Sequence, residues 1–183
     1  MNISTGTWAG ESAARFAGEN APKGIDLEQV KDLKRTVYAP LLNGVHRPLD
    51  VLLEVQKVVF PYDVIILKKE SKLRKTLSEI ERIEAELIPS MGARDCRELM
   101  RLNETRCITK LLSLCLRASL IRQETRGSHY REDFPGRDNA NWLKWIMVNQ
   151  KEDRVNFDYL PVPLERYKHK VDRFYMDNFT QEP

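Results

Sequence analysis

Apolar residues recur at helical spacing through most of the chain. Leu27, Val30, Leu33, Val37 and Leu41 lie three or four positions apart, and Asp26 with Gln29 has the spacing of a capping box. A helix is therefore predicted from Asp26, closing near Pro40 and Asn43-Gly44. Pro48 suits the first turn of the next helix, which carries Leu49, Leu52, Leu53, Val55 and Val59 and stops at Phe60-Pro61. A long helix over 62–88 sets Leu73, Leu77, Ile80, Ile83 and Leu87 in one stripe, with Lys, Arg and Glu on the other face. Pro89 and Gly92 end it. Asp95 and Glu98 repeat the capping-box spacing and open a helix over 95–123, where Leu99, Leu102, Ile108, Leu112, Cys115 and Ser119 share a side. From Leu111 onward this helix is apolar nearly all round, which predicts that neighbours enclose it. The short connections at 60–62 and 89–94 favour antiparallel packing, so the fold class is mainly α, a three-helix bundle of spectrin-repeat-like form.

The two ends break this pattern. Ser4-Thr5-Gly6-Thr7 leads into a small-residue helix, Trp8 to Ala17, whose first turn Thr5 or Thr7 is placed to cap. Its glycines and alanines allow close approach of another element, and the segment 18–24 then interrupts the chain. After the last long helix, Gly127, Pro135 and Gly136 end the helical period, and Asp138 is placed to cap a short turn around Trp142. Trp145 to Val148 read as one strand. Val155, Phe157 and Tyr159 alternate with Asn156 and Asp158 as a second, so a small β-hairpin is predicted with its loop at 150–153. The tail, Glu165 to Pro183, is charged and aromatic and is expected to lie over another surface.

Composition narrows the function classes. Thirty Lys and Arg against 27 Asp and Glu leave a net charge of +3, interspersed rather than gathered in a stripe, which argues against nucleic acid as a partner. Cys96, Cys107 and Cys115 form no CxxC pair, which argues against a disulfide framework and a zinc site; in a helix they read as small buried hydrophobes in a reducing compartment. No signal peptide is visible, and the longest apolar run, Leu111 to Ile121, carries Arg117 and is too short to cross a bilayer. A cytoplasmic location is expected, with any membrane association made through other subunits. Trp8, Trp142 and Trp145 are expected at buried contacts, while His46 and His169 read as loop and solvated residues.

The densest chemistry is the run from Arg122 to Asp138, with four arginines, His129 and four carboxylates at the mouth of the last helix. Arginines placed so can hold carboxylate substrates through paired hydrogen bonds; ion pairs that lock an irregular loop give the same pattern. No nucleophile–base arrangement surrounds Ser12 or Ser128, and no residue is assigned as catalytic or metal-binding.

The run Glu124-Thr125-Arg126-Gly127-Ser128-His129-Tyr130-Arg131-Glu132-Asp133-Phe134-Pro135, followed by Arg137-Asp138 and Asn141-Trp142-Leu143, resembles the C-terminal signature of the succinate dehydrogenase/fumarate reductase flavoproteins. L-aspartate oxidase shares that signature, and Ser4-Thr5-Gly6-Thr7 is closer to the adenylylsulfate reductase alpha-subunit branch. The family usually has Ser at Thr125 and an acid near Asn139. The resemblance implies an N-terminal helix left from a FAD-binding domain at 1–24, a helical bundle at 25–125, and a docking loop, hairpin and extended tail at 126–183. It implies a part of a FAD-dependent oxidoreductase that supports hydride transfer to or from a dicarboxylate, inactive alone, with electrons passing to an iron–sulfur partner subunit. Ser4 and Thr5 would stand against the flavin at a helix N-terminus, and Arg126, His129 and Arg131 would dock the bundle on the FAD domain. Replacing Arg126 would then weaken docking more than the bundle. With no GxGxxG in the chain, FAD would be held mainly by a domain that these residues do not encode. The competing reading is a non-catalytic helical module that binds a protein partner.

Overall fold

Residues 2–22, 24–41, 44–152 and 154–167 are described by the computed structural model, with the side chains of 2–5 left aside. Three helices make the core: α3 (Pro48–Val59), α5 (Glu70–Arg82, continued by a π turn over Ile83–Leu87) and α6 (Cys96–Ile121). Pro48 sits in the first turn of α3, where its missing N–H costs nothing. Val51, Val55 and Val59 face inward against Leu73, Ile80 and Ile83 of the second helix and Leu99, Leu102 and Leu116 of the third. Leu53 points outward instead. The predicted bundle is therefore present, with a hairpin beyond it.

The inward face of α6 differs from the apolar stripe. Thr105, Thr109 and Ser113 are buried with Leu99, Leu102 and Leu116, while Ile108, Leu111 and all three cysteines lie outside. Thr105 and Thr109 donate their hydroxyls to the carbonyls four residues back, Arg101 and Thr105, each at 2.8 Å. A hydroxyl satisfied within its own helix can be buried at little cost, and its small volume lets α3 and α5 come close. The enclosure expected from Leu111 onward is not supplied by the described residues, since Leu111 is 60% exposed.

The long helix predicted over 62–88 is two. A single turn, α4 (Tyr62–Ile65), is followed by an irregular step before α5 opens at Glu70. In that step the Lys68 N–H donates to the Tyr130 carbonyl at 3.2 Å and the Glu132 N–H to the Lys68 carbonyl at 2.8 Å. The Glu70 N–H donates to Asp133 Oδ2 at 2.9 Å, so the helix is capped by a carboxylate 63 residues away. At its other pole, α6 has the expected cap: Asp95 accepts from the Glu98 N–H, and Glu98 accepts from the Arg94 N–H.

The connection into α3 has one tight point. The Val45 N–H reaches the Ser90 carbonyl and the Gly92 N–H the His46 carbonyl, laying the 44–46 segment along 90–92. A Cβ built on Gly44 falls 2.1 Å from the Gly92 backbone, which has no way to yield. Gly44→Ala is expected to cost about 2 kcal/mol, in the range for overpacking a filled site. Urea unfolding measures it, and a loss below about 0.5 kcal/mol, the level of a neutral surface change, contradicts that packing.

Helix α1 (Asn2–Glu19) and α2 (Leu27–Tyr38) stand apart from the core. Because α1 starts at Asn2, Thr5 and Thr7 lie within it and not at its cap. Asp26 does cap α2, accepting from the N–H groups of Glu28 and Gln29, yet this helix buries no residue. Trp8 and Phe16 are 66% and 67% exposed, and Trp145 is also exposed while Trp142 is half-buried. Only the last of these tryptophans meets the expectation of a buried contact. After α7 (Asn139–Trp142), strands β1 (Lys144–Lys151) and β2 (Arg154–Pro161) pair antiparallel, with Glu152 in the turn at φ 48°. Their loop is shorter than the predicted 150–153. His169 and most of the tail lie outside the described residues.

Candidate functional site

The end of α6 delivers the chain into an elbow, residues 122–138, built around two fully buried charged residues, Glu124 and Arg131. Burying a charge is tolerable only with complete pairing. Glu124 meets that demand with four donors. Arg126 donates through Nε at 2.7 Å and Nη2 at 2.9 Å, the Asp138 N–H at 3.0 Å, and Arg122 closes the set through Nη1. Burial pushes the Glu124 carboxyl up, but Arg126, the Asp138 N–H and Arg122 together overcome that and hold it below its ordinary value.

Arg131 is the second centre. Its Nε and Nη2 form a parallel pair with Asp133 at 2.8 and 2.9 Å, and Nη1 donates to the Ser119 carbonyl at 2.6 Å and the Arg122 carbonyl at 3.2 Å. One guanidinium thus closes the C-terminal end of α6 and fixes the carboxylate that caps α5. The hydrogen bonds from Arg131, with the Glu70 N–H assisting, hold the Asp133 carboxyl down to about 2 against the effect of burial. Thr125 ties the turn together, accepting from the Arg131 N–H and donating to the Phe134 carbonyl, both at 2.9 Å. Gly127 in this turn takes a positive φ, 57°.

Arg122 carries the order onward to the hairpin. It donates to the Trp142 carbonyl at 3.2 Å and the Lys144 carbonyl at 2.6 Å. Its guanidinium stacks 5.4 Å from the centre of the Trp142 ring, and the Lys144 ammonium sits 4.2 Å from the Tyr159 ring. The sequence reading missed Arg122, Glu124 and Asp133; the charge alternation was visible, but not which members would be buried.

His129 is half-buried, its Nε2 3.3 Å from the Arg122 carbonyl, beside a shallow cleft of about 300 Å³ shared with Ser119, Arg122 and Trp145. Burial, aided by the charges of Lys68, Arg131 and Arg122, lowers its pKa, so the ring is neutral with Nε2–H donating. The folded pKa lies below the unfolded one. Stability is therefore full above about pH 6.5 and declines as pH falls from there toward the folded value. His129→Gln, which keeps a donor and cannot titrate, is expected to remove that decline. Melting temperatures of both proteins from pH 7.5 to 5 test this, and parallel profiles would contradict it.

Among the sequence-predicted site residues, the structure brings Arg126, His129 and Arg131 together in one elbow, and their bonds run inward to this chain's own groups. Ser4 and Thr5 lie in the first turn of α1, away from the elbow in sequence and with their side chains outside the described residues. No group of His, Cys, Asp and Glu able to hold a metal occurs among the described residues, and no helix there is long and apolar enough to cross a membrane.

Comparison with known proteins places these features. Residues 54–175 match the family described as fumarate reductase flavoprotein C-term. A fumarate reductase (CoM/CoB) subunit of Methanothermobacter marburgensis is 31% identical over 157 residues, 80% of this chain and 27% of that protein. A FAD-dependent oxidoreductase of Methanocaldococcus jannaschii is 29% identical over 150 residues, 80% of this chain and 26% of that one. A solved quinol-fumarate reductase chain, described with menaquinol molecules, superposes with a TM-score of 0.72 at 19% identity, covering 84% of this chain and 28% of that chain, a likeness of fold. The chain thus spans about a quarter of the length of the relatives it matches.

Proposed function

Because the chain belongs to the fumarate reductase flavoprotein C-terminal family, we propose that it is the helical part of a FAD-dependent oxidoreductase and works only when joined to a FAD-binding part. The observation that carries this reading is α1. From Gly6 to Glu19 it is exposed on every side, with Trp8 and Phe16 laid open to water, and its glycines and alanines suit close packing on another element. The bundle does not cover it. A FAD-binding domain, on the same polypeptide or another, would.

In this reading the first turn of α1 would lie against the flavin. It holds no acidic residue to balance the positive end of the helix, and its first N–H groups have no partner within the helix. Ser4 and Thr5 would stand there against the cofactor. FAD, when bound, would supply hydride transfer with a dicarboxylate; this chain's residues would give it a positive wall and a rigid platform. In this reading Arg126, His129 and Arg131 serve docking by holding the elbow's shape, not by touching the partner. The division at 1–24, 25–125 and 126–183 then separates cofactor wall, platform and docking segment. Electrons would continue to an iron–sulfur subunit, consistent with relatives named as subunits of reductases.

Co-expression tests the proposal. The chain alone is expected to be colourless. Co-expressed with the FAD-binding part of the Methanothermobacter marburgensis relative, it is expected to co-purify with flavin absorbance. Colourless chain with no association would favour a non-catalytic interaction module.

A further inference from the structure

The elbow carries four arginines, and three of them are spent. Arg122 and Arg126 converge on Glu124, and Arg131 is locked between Asp133 and the end of α6. Arg137 differs. Its Nε is enclosed with no hydrogen-bond partner, and no ion pair among the described residues includes it. The nearest carboxylate in sequence, Asp138, is already engaged, accepting from the N–H and side-chain amide of Asn141. Glu124, the buried carboxylate, is filled by its four donors. An enclosed donor without an acceptor is unfavourable, and native structures seldom keep one without a reason.

We infer that Arg137 is the elbow's contact for a carboxylate on the FAD-binding part of the flavoprotein. The inference rests on the function proposed above. Turning the Arg137 side chain outward breaks no internal bond and relieves the unmet Nε. The same cannot be done with Arg126 or Arg131 without stranding Glu124 or Asp133. A guanidinium edge presents Nε–H and Nη–H in parallel, which a carboxylate matches with two oxygens and a single main-chain carbonyl does not. The FAD-binding part is the occupant favoured here because the elbow lies at the rim of a bundle that spans only about a quarter of the length of its relatives. Among the elbow's four arginines, Arg137 is the one without an ion pair among the described residues.

The test uses the full chain with Arg137→Met and Arg137→Lys, each co-expressed with the FAD-binding part of the Methanothermobacter marburgensis relative. Dissociation is read by flavin absorbance of the co-purified complex against dilution and salt. Arg137→Met is expected to weaken association about tenfold or more, and Arg137→Lys to recover only part of that, since the paired geometry is lost. Wild-type association is expected to weaken with salt, and the Met variant to lose part of that dependence. The isolated chain should melt no lower with Met than with Arg. Equal association of wild type and Arg137→Met overturns the inference alone. So does a fall in the melting temperature of the isolated variant, which marks an internal role. An unchanged salt dependence despite weaker binding overturns the carboxylate in favour of a carbonyl. If the wild-type chain fails to associate at all, the function proposed above falls with it.

Discussion

Arg131→Met is expected to lower the unfolding free energy by about 3–5 kcal/mol, the cost of removing one partner from a buried ion pair. The guanidinium is fully enclosed, so methionine fills much of its stem volume and replaces none of its hydrogen bonds. Asp133 loses its paired partner, and the carbonyls of Ser119 and Arg122 lose the donor that closes α6. Asp133 also caps α5 through the Glu70 N–H, so a carboxylate no longer held in place weakens two helices together. Urea unfolding at pH 7 measures the loss; a value below about 1 kcal/mol, within the range of exposed pairs, would mean that water replaces the guanidinium.

Acid titration gives the same prediction a second readout. Asp133 is held down to about 2 from an ordinary 3.8 chiefly by its bond to Arg131. Between those values the unfolded chain binds the proton more readily, so this stabilisation is complete above about pH 4 and is lost as pH falls toward 2. Without Arg131 the carboxyl returns toward its ordinary value, and the part of the acid instability owed to Asp133 is expected to shrink. Identical acid limbs in wild type and variant would show that the pair contributes nothing.

Helix caps and breaks written in local sequence were legible. Asp26, Asp95 and Asp138 each cap the helix they were read to cap, and Pro48 opens α3. The hairpin was legible in the strand-like run Trp145 to Val148 and the alternation of Val155, Phe157 and Tyr159 with Asn156 and Asp158. What was not legible depends on distant partners. The break between α4 and α5 cannot be read from 62–70, because its cap is Asp133 and its backbone partners are Tyr130 and Glu132. The inward face of α6 misled because hydropathy counts Thr105 and Thr109 as outward, whereas each hydroxyl is satisfied inside its own helix. In the elbow, the mixture of Arg and acid was plain, but an arginine aimed inward and one left over look alike in sequence. Arg126 is the clearest case. Read as a docking residue, it makes two bonds to a fully buried carboxylate, an inward engagement that local sequence does not reveal.

Glu124→Ala is expected to cost about 3 kcal/mol, at the lower end for a broken buried pair because the stranded partners can partly rehydrate. The Arg122 and Arg126 side chains keep 16% and 27% of their exposure, so water reaches them where it does not reach Arg131. The informative consequence is spatial. Glu124 holds Arg122 in line for the Trp142 and Lys144 carbonyls, and those bonds attach the hairpin to the end of α6. A two-stranded hairpin is marginal by itself, so β1 and β2 are expected to lose hydrogen-exchange protection while the core of α3, α5 and α6 retains it. The double variant Glu124→Ala/Arg126→Ala should be less damaged than the sum of its parts, by about 1–2 kcal/mol, since each single change leaves the other charge unpaired. Strict additivity, or a hairpin that exchanges no faster without Glu124, would mean that the elbow is held by its backbone turns and that its buried carboxylate is a passenger.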